Sequence, residues 1–273
     1  MEYNREQTYL EYVENNINNI NHFNQRAFNW QTYANGNPLP IIKNAIKQYP
    51  EISSVVSTID AELTREKVAD YYNEDLYKGV VATLLWGGAH RGPYSYFTSI
   101  LEIGKDKIVA SIEYLKELLS NSIEDAFLLN NNKDYHINGI GKSYWTKIMY
   151  FLKYYDNNNP KPLIFDSVMQ KVHCAILIDT IGRDVATWYY IDNKGNLRLL
   201  KSDIDVYVDY INRIHQFATD YGIDKVDNLE AALFGCRYLN DFNNPRYVVK
   251  KYIEKNKDLL TVDCCNYNRI VLL

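Results

Sequence analysis

Apolar residues recur every three or four positions along most of the chain, which is the spacing of a helix with one buried face. In residues 64–85, for example, such positions include Val68, Tyr72, Leu76 and Val80. Comparable patterns predict helices over residues 5–23, 64–85, 95–103, 107–119, 122–129, 143–155, 167–178, 204–221, 228–234 and 245–256. The glycines and proline within residues 87–93 predict a helix stop. The sequence therefore predicts a mainly α protein.

One stretch has a different character. Residues 188–191 and 197–200 are rich in β-forming side chains and flank the polar sequence Asp-Asn-Lys-Gly-Asn at 192–196. This arrangement predicts a short β-hairpin inserted in the helical body. We expect residues 1–273 to form one helical unit. In the alternative architecture, a split near residues 157–161 gives two helical lobes with a cleft near residues 137–170.

Composition limits the class of protein. Hydrophobic residues make up 47% and charged residues 23% of the 273 residues, as in an ordinary globular protein. The longest apolar stretches are far shorter than the roughly 18 residues that a membrane helix needs, so we expect a cytoplasmic protein. The four cysteines have no Cys-x-x-Cys spacing. They are therefore expected to be reduced thiols, and neither a metal ion nor another cofactor is predicted.

The charge distribution points to one segment. The net charge of −4 argues against a protein that coats nucleic acid nonspecifically. Residues 133–173, however, contain six lysines and three aspartates, a local charge of +3. Any nucleic-acid site is therefore expected to be local and to include this segment.

Residues 137–152 contain a Gly-Ile-Gly turn that leads directly into an apolar-periodic helix. Gly139 and Gly141 permit a tight turn and leave no side chain over the helix N-terminus, where exposed N–H groups can bind a phosphate. We expect Gly139, Gly141, Lys142 and Ser143 to contact a DNA backbone. The same sequence also fits an ordinary glycine-bearing turn between two helices.

The Gly-Ile-Gly helix is followed by Pro-Lys-Pro-Leu-Ile-Phe-Asp-Ser-Val at residues 160–168, an extended apolar approach to Asp166. Together the two elements resemble the helix-hairpin-helix DNA glycosylase superfamily, and most closely its 8-oxoguanine DNA glycosylase-like branch. The resemblance covers about residues 80–175. It implies a mainly α, two-lobed helix-hairpin-helix fold whose substrate is duplex DNA with a flipped modified base. The implied activity is that of a DNA glycosylase with AP-lyase activity on an oxidised or modified purine such as 8-oxoguanine.

The resemblance also implies roles for two residues. Lys147 matches the nucleophilic lysine of bifunctional members, and Asp166, 19 positions later, matches their essential aspartate. Lys142 is the alternative nucleophile, because many members place the lysine nearer the second glycine. Asp166 also fits a helix N-cap, a role compatible with catalysis.

These residue types suit the chemistry. Cleavage of the glycosidic bond develops positive charge on the sugar, which a nearby carboxylate stabilises. A lysine attacks as the neutral amine, which desolvation in a pocket favours. The flipped base needs flat walls, for which Phe151 and Trp86 are candidates, although both residue types are common in packed cores. Many members carry a histidine two positions after the aspartate, where this chain has Val168.

Two other functions stay open at this point. One is a non-catalytic helix-hairpin-helix module that binds DNA without releasing a base. The other is an antiphage-defence glycosylase that acts on a different modified base or on a nucleotide, since 8-oxoguanine glycosylase-like proteins also occur in bacterial antiphage gene sets.

Overall fold

The computed structural model describes residues 6–17, 28–30, 50–88, 100, 102–156, 160–235 and 245–261. Within these ranges the chain forms eleven α-helices and two antiparallel strand pairs, which confirms the mainly α prediction. The helices are α1 (Tyr9–Glu14), α2 (Pro50–Val56), α3 (Arg65–Glu74), α4 (Leu76–Gly87), α5 (Lys105–Leu119), α6 (Ile123–Leu128), α7 (Lys142–Leu152), α8 (Ser167–Ile181), α9 (Asp203–Asp220), α10 (Val226–Phe234) and α11 (Pro245–Lys255). The strands are β1 (Phe28–Asn29), β2 (Glu62–Leu63), β3 (Tyr189–Ile191) and β4 (Leu197–Leu199).

The chain divides into two compact units. The central unit is Gln25–Phe165, and the terminal unit combines Met1–Asn24 with Asp166–Leu273. In the central unit α7 is the core helix and packs against α3, α4, α5 and α6. Seven consecutive α7 residues, from Trp145 to Phe151, are buried. A helix enclosed on all sides in this way holds its side chains in fixed positions.

The predicted single helix over residues 64–85 is wrong, because Asp75 divides it into α3 and α4. Asp75 has an extended backbone, with φ −158° and ψ 125°. Its N–H donates to Tyr71 O and ends α3, while its carboxylate accepts the N–H of Lys78 at 2.8 Å and caps α4. The predicted stop after residue 86 is confirmed at Gly88, which has φ 76°. Residues 91–93 lie outside the described ranges.

In the terminal unit α8 packs against α1, α10 and α11. The Asp179 carboxylate of α8 accepts the N–H of Leu10 at 2.8 Å and also a hydrogen bond from the Tyr252 hydroxyl. One side chain of α8 therefore holds both α1 and α11.

The predicted hairpin is confirmed, since β3 pairs with β4 across the turn at residues 192–196. The expectation of one β element is wrong, because β1 and β2 also pair. Each of those strands has two residues, too few to show an alternating pattern.

Several sequence predictions fall wholly or partly outside the described residues. These are residues 5 and 18–23 of the helix over 5–23, residues 95–99 and 101 of the helix over 95–103, residues 157–159 of the proposed split, and Cys236, Cys264 and Cys265. Cys174 is described and is a buried free thiol. Among the residues that the structure describes, no helix is long and apolar enough to cross a membrane.

Candidate functional site

The Gly-Ile-Gly sequence forms a tight turn before α7. The N–H of Ile140 donates to Ile137 O at 2.9 Å, and Gly139 in this turn has φ 87°, a conformation that favours glycine. Ile137 and Ile140 are both buried and anchor the turn in the core of the central unit. The turn therefore fixes where α7 begins.

A buried hydrogen bond joins α7 to the helix before the turn. The indole Nε1–H of Trp145 donates to Ala126 O of α6 at 2.9 Å. Trp145 is fully buried, so this bond is shielded from water. The two helices on either side of the connecting segment are thereby held in a fixed arrangement.

The N-terminus of α7 carries no side-chain cap. Gly141 occupies the N-cap position with φ −79° and ψ 171°, values that any residue adopts. Among the residues that the structure describes, leaving aside its chain neighbours, none has an atom within 4 Å of a Cβ placed there. The fold therefore does not require glycine at 141. Open space over the first turn of a helix, where N–H groups and the dipole meet, suits an anion. Lys142 lies at this end, and its partial burial lowers its pKa.

Lys147 is buried, with only 6% of its surface exposed. Its side chain runs back along α7, as helical side chains do, toward the preceding turn. The amine Nζ donates to Ser143 Oγ at 2.8 Å and to Ser143 O at 3.1 Å. It also lies 5.2 Å from the centroid of the Tyr144 ring. The reactive atom of Lys147 thus sits beside residue 143, one turn closer to Gly141 than its own backbone.

The end of α4 packs directly on this lysine. A Cβ on Gly87 would lie 2.6 Å from Tyr144 Cε1 and 3.4 Å from Lys147 Cδ, so a side chain at 87 would displace Tyr144. The Tyr144 hydroxyl donates to Gly87 O at 3.0 Å. The sequence suggested a helix stop at Gly87 and a part, beside Trp86, in a base pocket, and it suggested no role for Tyr144.

The two candidate pocket walls, Trp86 and Phe151, contact each other. Their rings meet edge to face with centroids 5.3 Å apart. Trp86 is half-buried, while Phe151 is 2% exposed and also packs against Tyr150. The Arg65 guanidinium lies 5.0 Å from the Tyr150 ring centroid and 5.7 Å from that of Trp86. Phe151 is thus a core side chain, and its contact with a base stays a prediction.

Asp166 is the N-cap of α8, the alternative that its sequence context suggested. Its Oδ1 accepts the N–H of Val168 at 2.8 Å and that of Met169 at 3.2 Å. Lys147 belongs to the central unit, and Asp166 is the first residue of the second segment of the terminal unit. The residues that precede them in the chain are hydrogen-bonded, since the Phe165 N–H donates to Thr146 Oγ1 at 3.0 Å.

The two histidines near the basic segment have partners within the protein. His173 is fully buried in α8, with Nε2 2.7 Å from the Asp209 carboxylate and Nδ1 2.8 Å from the Tyr189 hydroxyl. His136 Nδ1 lies 2.8 Å from Asn130 O. Within the described ranges no group of three or more His, Cys, Asp or Glu side chains is placed to hold a metal ion.

A mainly α protein with a Gly-Ile-Gly turn, an open helix N-terminus and a buried lysine on that helix has the features expected of a DNA glycosylase. Comparison with known families agrees: residues 23–234 match the family described as "Putative 8-oxoguanine DNA glycosylase OGG-like protein". The chain belongs to this family, and the family implies DNA as the partner. No curated protein and no solved structure gives a significant match.

Proposed function

We propose that the protein is a DNA glycosylase with AP-lyase activity, which excises an oxidised or modified purine such as 8-oxoguanine through a Schiff base on Lys147. The observation that carries the proposal is the buried Lys147 amine beside the first turn of α7, directly after the Gly-Ile-Gly turn. Burying a lysine amine costs free energy of folding, so a buried lysine is a candidate functional residue. Lysines that form Schiff bases occupy such sites.

Lys147 is preferred to Lys142 because of where its amine lies. The backbone of Lys147 is six residues beyond Gly141, whereas many related glycosylases have the lysine closer. Its side chain reaches back four residues, so that Nζ is hydrogen-bonded to Ser143, two residues beyond Gly141. The amine of Lys147 therefore lies closer to Gly141 than its own backbone does.

The chemistry begins at the sugar C1′ of the flipped nucleotide. The lone pair of the neutral Lys147 amine forms a bond to C1′ as the bond from C1′ to the base breaks, and the electron pair leaves with the base. The base takes up a proton, and Nζ loses one. The C1′–O4′ bond then opens, O4′ is protonated, and an imine joins Nζ to C1′. Loss of a C2′ proton and of the 3′ oxygen completes strand cleavage.

Asp166 supplies the negative charge in this proposal. The bond to the base breaks ahead of full attack, so positive charge develops on the sugar, and a fixed carboxylate stabilises it. The two backbone N–H groups at the start of α8 hold Asp166 Oδ1 in one orientation. A carboxylate held in advance does not have to reorganise during the reaction.

The N-terminus of α7 is proposed to bind a DNA phosphate. Its N–H groups and the positive end of the helix dipole favour an anion, and the open space at Gly141 lets the backbone approach closely. Lys142 adds a positive charge at the same end. Such a contact is independent of sequence and positions the duplex while a base is flipped out.

Borohydride trapping tests the proposal. Wild-type protein and an 8-oxoguanine duplex should yield a covalent protein–DNA adduct, because hydride reduces the imine to a stable amine. Lys147→Ala should form no adduct, whereas Lys142→Ala should bind DNA more weakly and still form it at saturating DNA. Lys116→Ala replaces an exposed lysine of α5, outside the basic segment of residues 133–173, and is the control that should behave as wild type. Adduct formation that survives in Lys147→Ala and disappears in Lys142→Ala would transfer the nucleophile to Lys142.

Mass spectrometry of bases released from a panel of modified DNAs identifies the substrate. Asp166→Asn should lower base release while DNA binding persists. DNA binding without release of any base would instead identify a non-catalytic module. Release of a phage-type modified base in preference to 8-oxoguanine would indicate a defence enzyme.

A further inference from the structure

We infer that Ser143 and Tyr144 are positioning residues that hold the amine of Lys147 in place for attack. The inference rests on the proposed function, because it concerns the lysine assigned there as nucleophile. It adds a specific role for two side chains that the sequence did not connect with the lysine amine.

A lysine nucleophile needs such a restraint. Its side chain has four rotatable methylene groups, and fixing them costs conformational entropy. Productive attack requires the two reacting atoms to lie about 3–3.5 Å apart in the correct alignment. Contacts that already fix the amine before DNA binds remove part of this cost from the reaction.

Ser143 provides the direct contact. Because helical side chains lean toward the N-terminus, residue 147 passes over residue 143, one turn earlier. The Ser143 hydroxyl accepts a hydrogen bond from Nζ at 2.8 Å, and the Ser143 carbonyl accepts another at 3.1 Å. Two acceptors from a single residue fix both the position and the direction of the amine.

Tyr144 provides the second restraint. Its ring centroid is 5.2 Å from Lys147 Nζ, so the ring lies beside the end of the lysine side chain and limits its movement. The ring is fixed at its far end, where the hydroxyl donates to Gly87 O at 3.0 Å. Gly87 leaves no space for a side chain, so α4 and Tyr144 pack in direct contact. The end of α4 therefore helps to define the path of the lysine side chain.

Ser143→Ala removes one acceptor and tests the main contact. The rate of borohydride-trapped adduct formation at saturating DNA should fall roughly 10- to 100-fold, as expected when a reacting group is misplaced. Ser143 is also expected to contact the DNA backbone, so the dissociation constant for DNA should rise as well, and the rates are therefore compared at saturating DNA. Ser143→Thr keeps a hydroxyl and should restore most of the rate. Ser111→Ala is the matched control, since it removes a buried helical hydroxyl that donates to Lys107 O at 2.9 Å in α5.

A measurement without DNA separates this inference from the proposed function. Reductive methylation followed by mass spectrometry gives the labelling rate of each lysine. Lys147 should be labelled faster in Ser143→Ala than in wild type, while the rate at Lys142 stays the same. Unchanged labelling of Lys147, or an equal loss of adduct in Ser111→Ala, would overturn the inference. A wild-type protein that forms no adduct with any modified DNA would refute the proposed function, and labelling would still decide whether Ser143 holds the amine.

Discussion

Replacing Gly141 by alanine should separate the needs of the fold from the needs of a ligand. The backbone at 141 is extended, and within the described part of the chain no atom beyond the neighbouring residues would lie within 4 Å of the new Cβ. Alanine is a poorer N-cap than glycine, which destabilises the folded state. Alanine also reduces the conformational entropy of the unfolded chain, which stabilises the protein by about 0.4–1 kcal/mol. These effects oppose each other, so the free energy of unfolding should change by less than about 1 kcal/mol.

DNA binding by Gly141→Ala should weaken, because the methyl group occupies the space through which a phosphate approaches the first turn of α7. Loss of one phosphate contact lowers the slope of log K against log salt by roughly 0.9. Urea denaturation gives the stability, and fluorescence anisotropy over a salt series gives the slope. Affinity and slope equal to those of wild type would refute a phosphate site at this helix end.

Gly139→Ala is the contrasting variant in the same turn. At φ 87° a Cβ is strained, so unfolding should become easier by about 1–2 kcal/mol. If Gly141→Ala destabilised the protein as much as Gly139→Ala does, the conclusion that the fold tolerates a side chain at 141 would be wrong.

Three further outcomes concern stability. Burial lowers the pKa of His173 below its ordinary value of 6.5. Below pH 6.5 this side chain therefore binds a proton more readily in the unfolded chain than in the folded one. The contribution of His173 to stability in urea should be constant above pH 6.5 and fall as the pH drops below it, and His173→Gln should lack this component. Asp75→Ala removes the cap that accepts the Lys78 N–H and should cost about 0.5–2 kcal/mol; no loss in a thermal melt would contradict this cap's contribution. Trp145→Phe leaves Ala126 O without its buried donor and should lower the free energy of unfolding in urea by about 1–3 kcal/mol. An unchanged free energy of unfolding would show that this carbonyl finds another partner.

The helical pattern of the sequence predicts most of the described helices, because each has a face that must be buried. The break at Asp75 escapes this reasoning. The apolar residues at 71, 72 and 76 keep a helical spacing across position 75. The sequence pattern therefore does not reveal that the backbone of Asp75 is extended. The pairing of β1 with β2 escapes for a related reason, since two residues cannot display an alternation.

The candidate site was predictable in part. The Gly-Ile-Gly turn and the helix after it are local features, and local sequence specifies them. The reach of Lys147 back to Ser143 follows from the direction of helical side chains, although only the structure gives its distance of 2.8 Å. The packing of Gly87 on Tyr144 joins positions 57 residues apart, a contact that depends on the tertiary arrangement of α4 and α7.

The discontinuity of the terminal unit affects how the protein matures on the ribosome. Residues 25–165 form a contiguous unit and can fold as soon as they leave the exit tunnel. The helix α1, in the first segment, cannot complete its contacts at that stage. Its Leu10 N–H donates to the Asp179 carboxylate of α8, which also accepts a hydrogen bond from the Tyr252 hydroxyl of α11. Residues of α1 therefore complete their native contacts only after α8 and α11 have been synthesised. Until then Tyr9, Tyr12 and Val13, the buried side chains of α1, lack their native contacts.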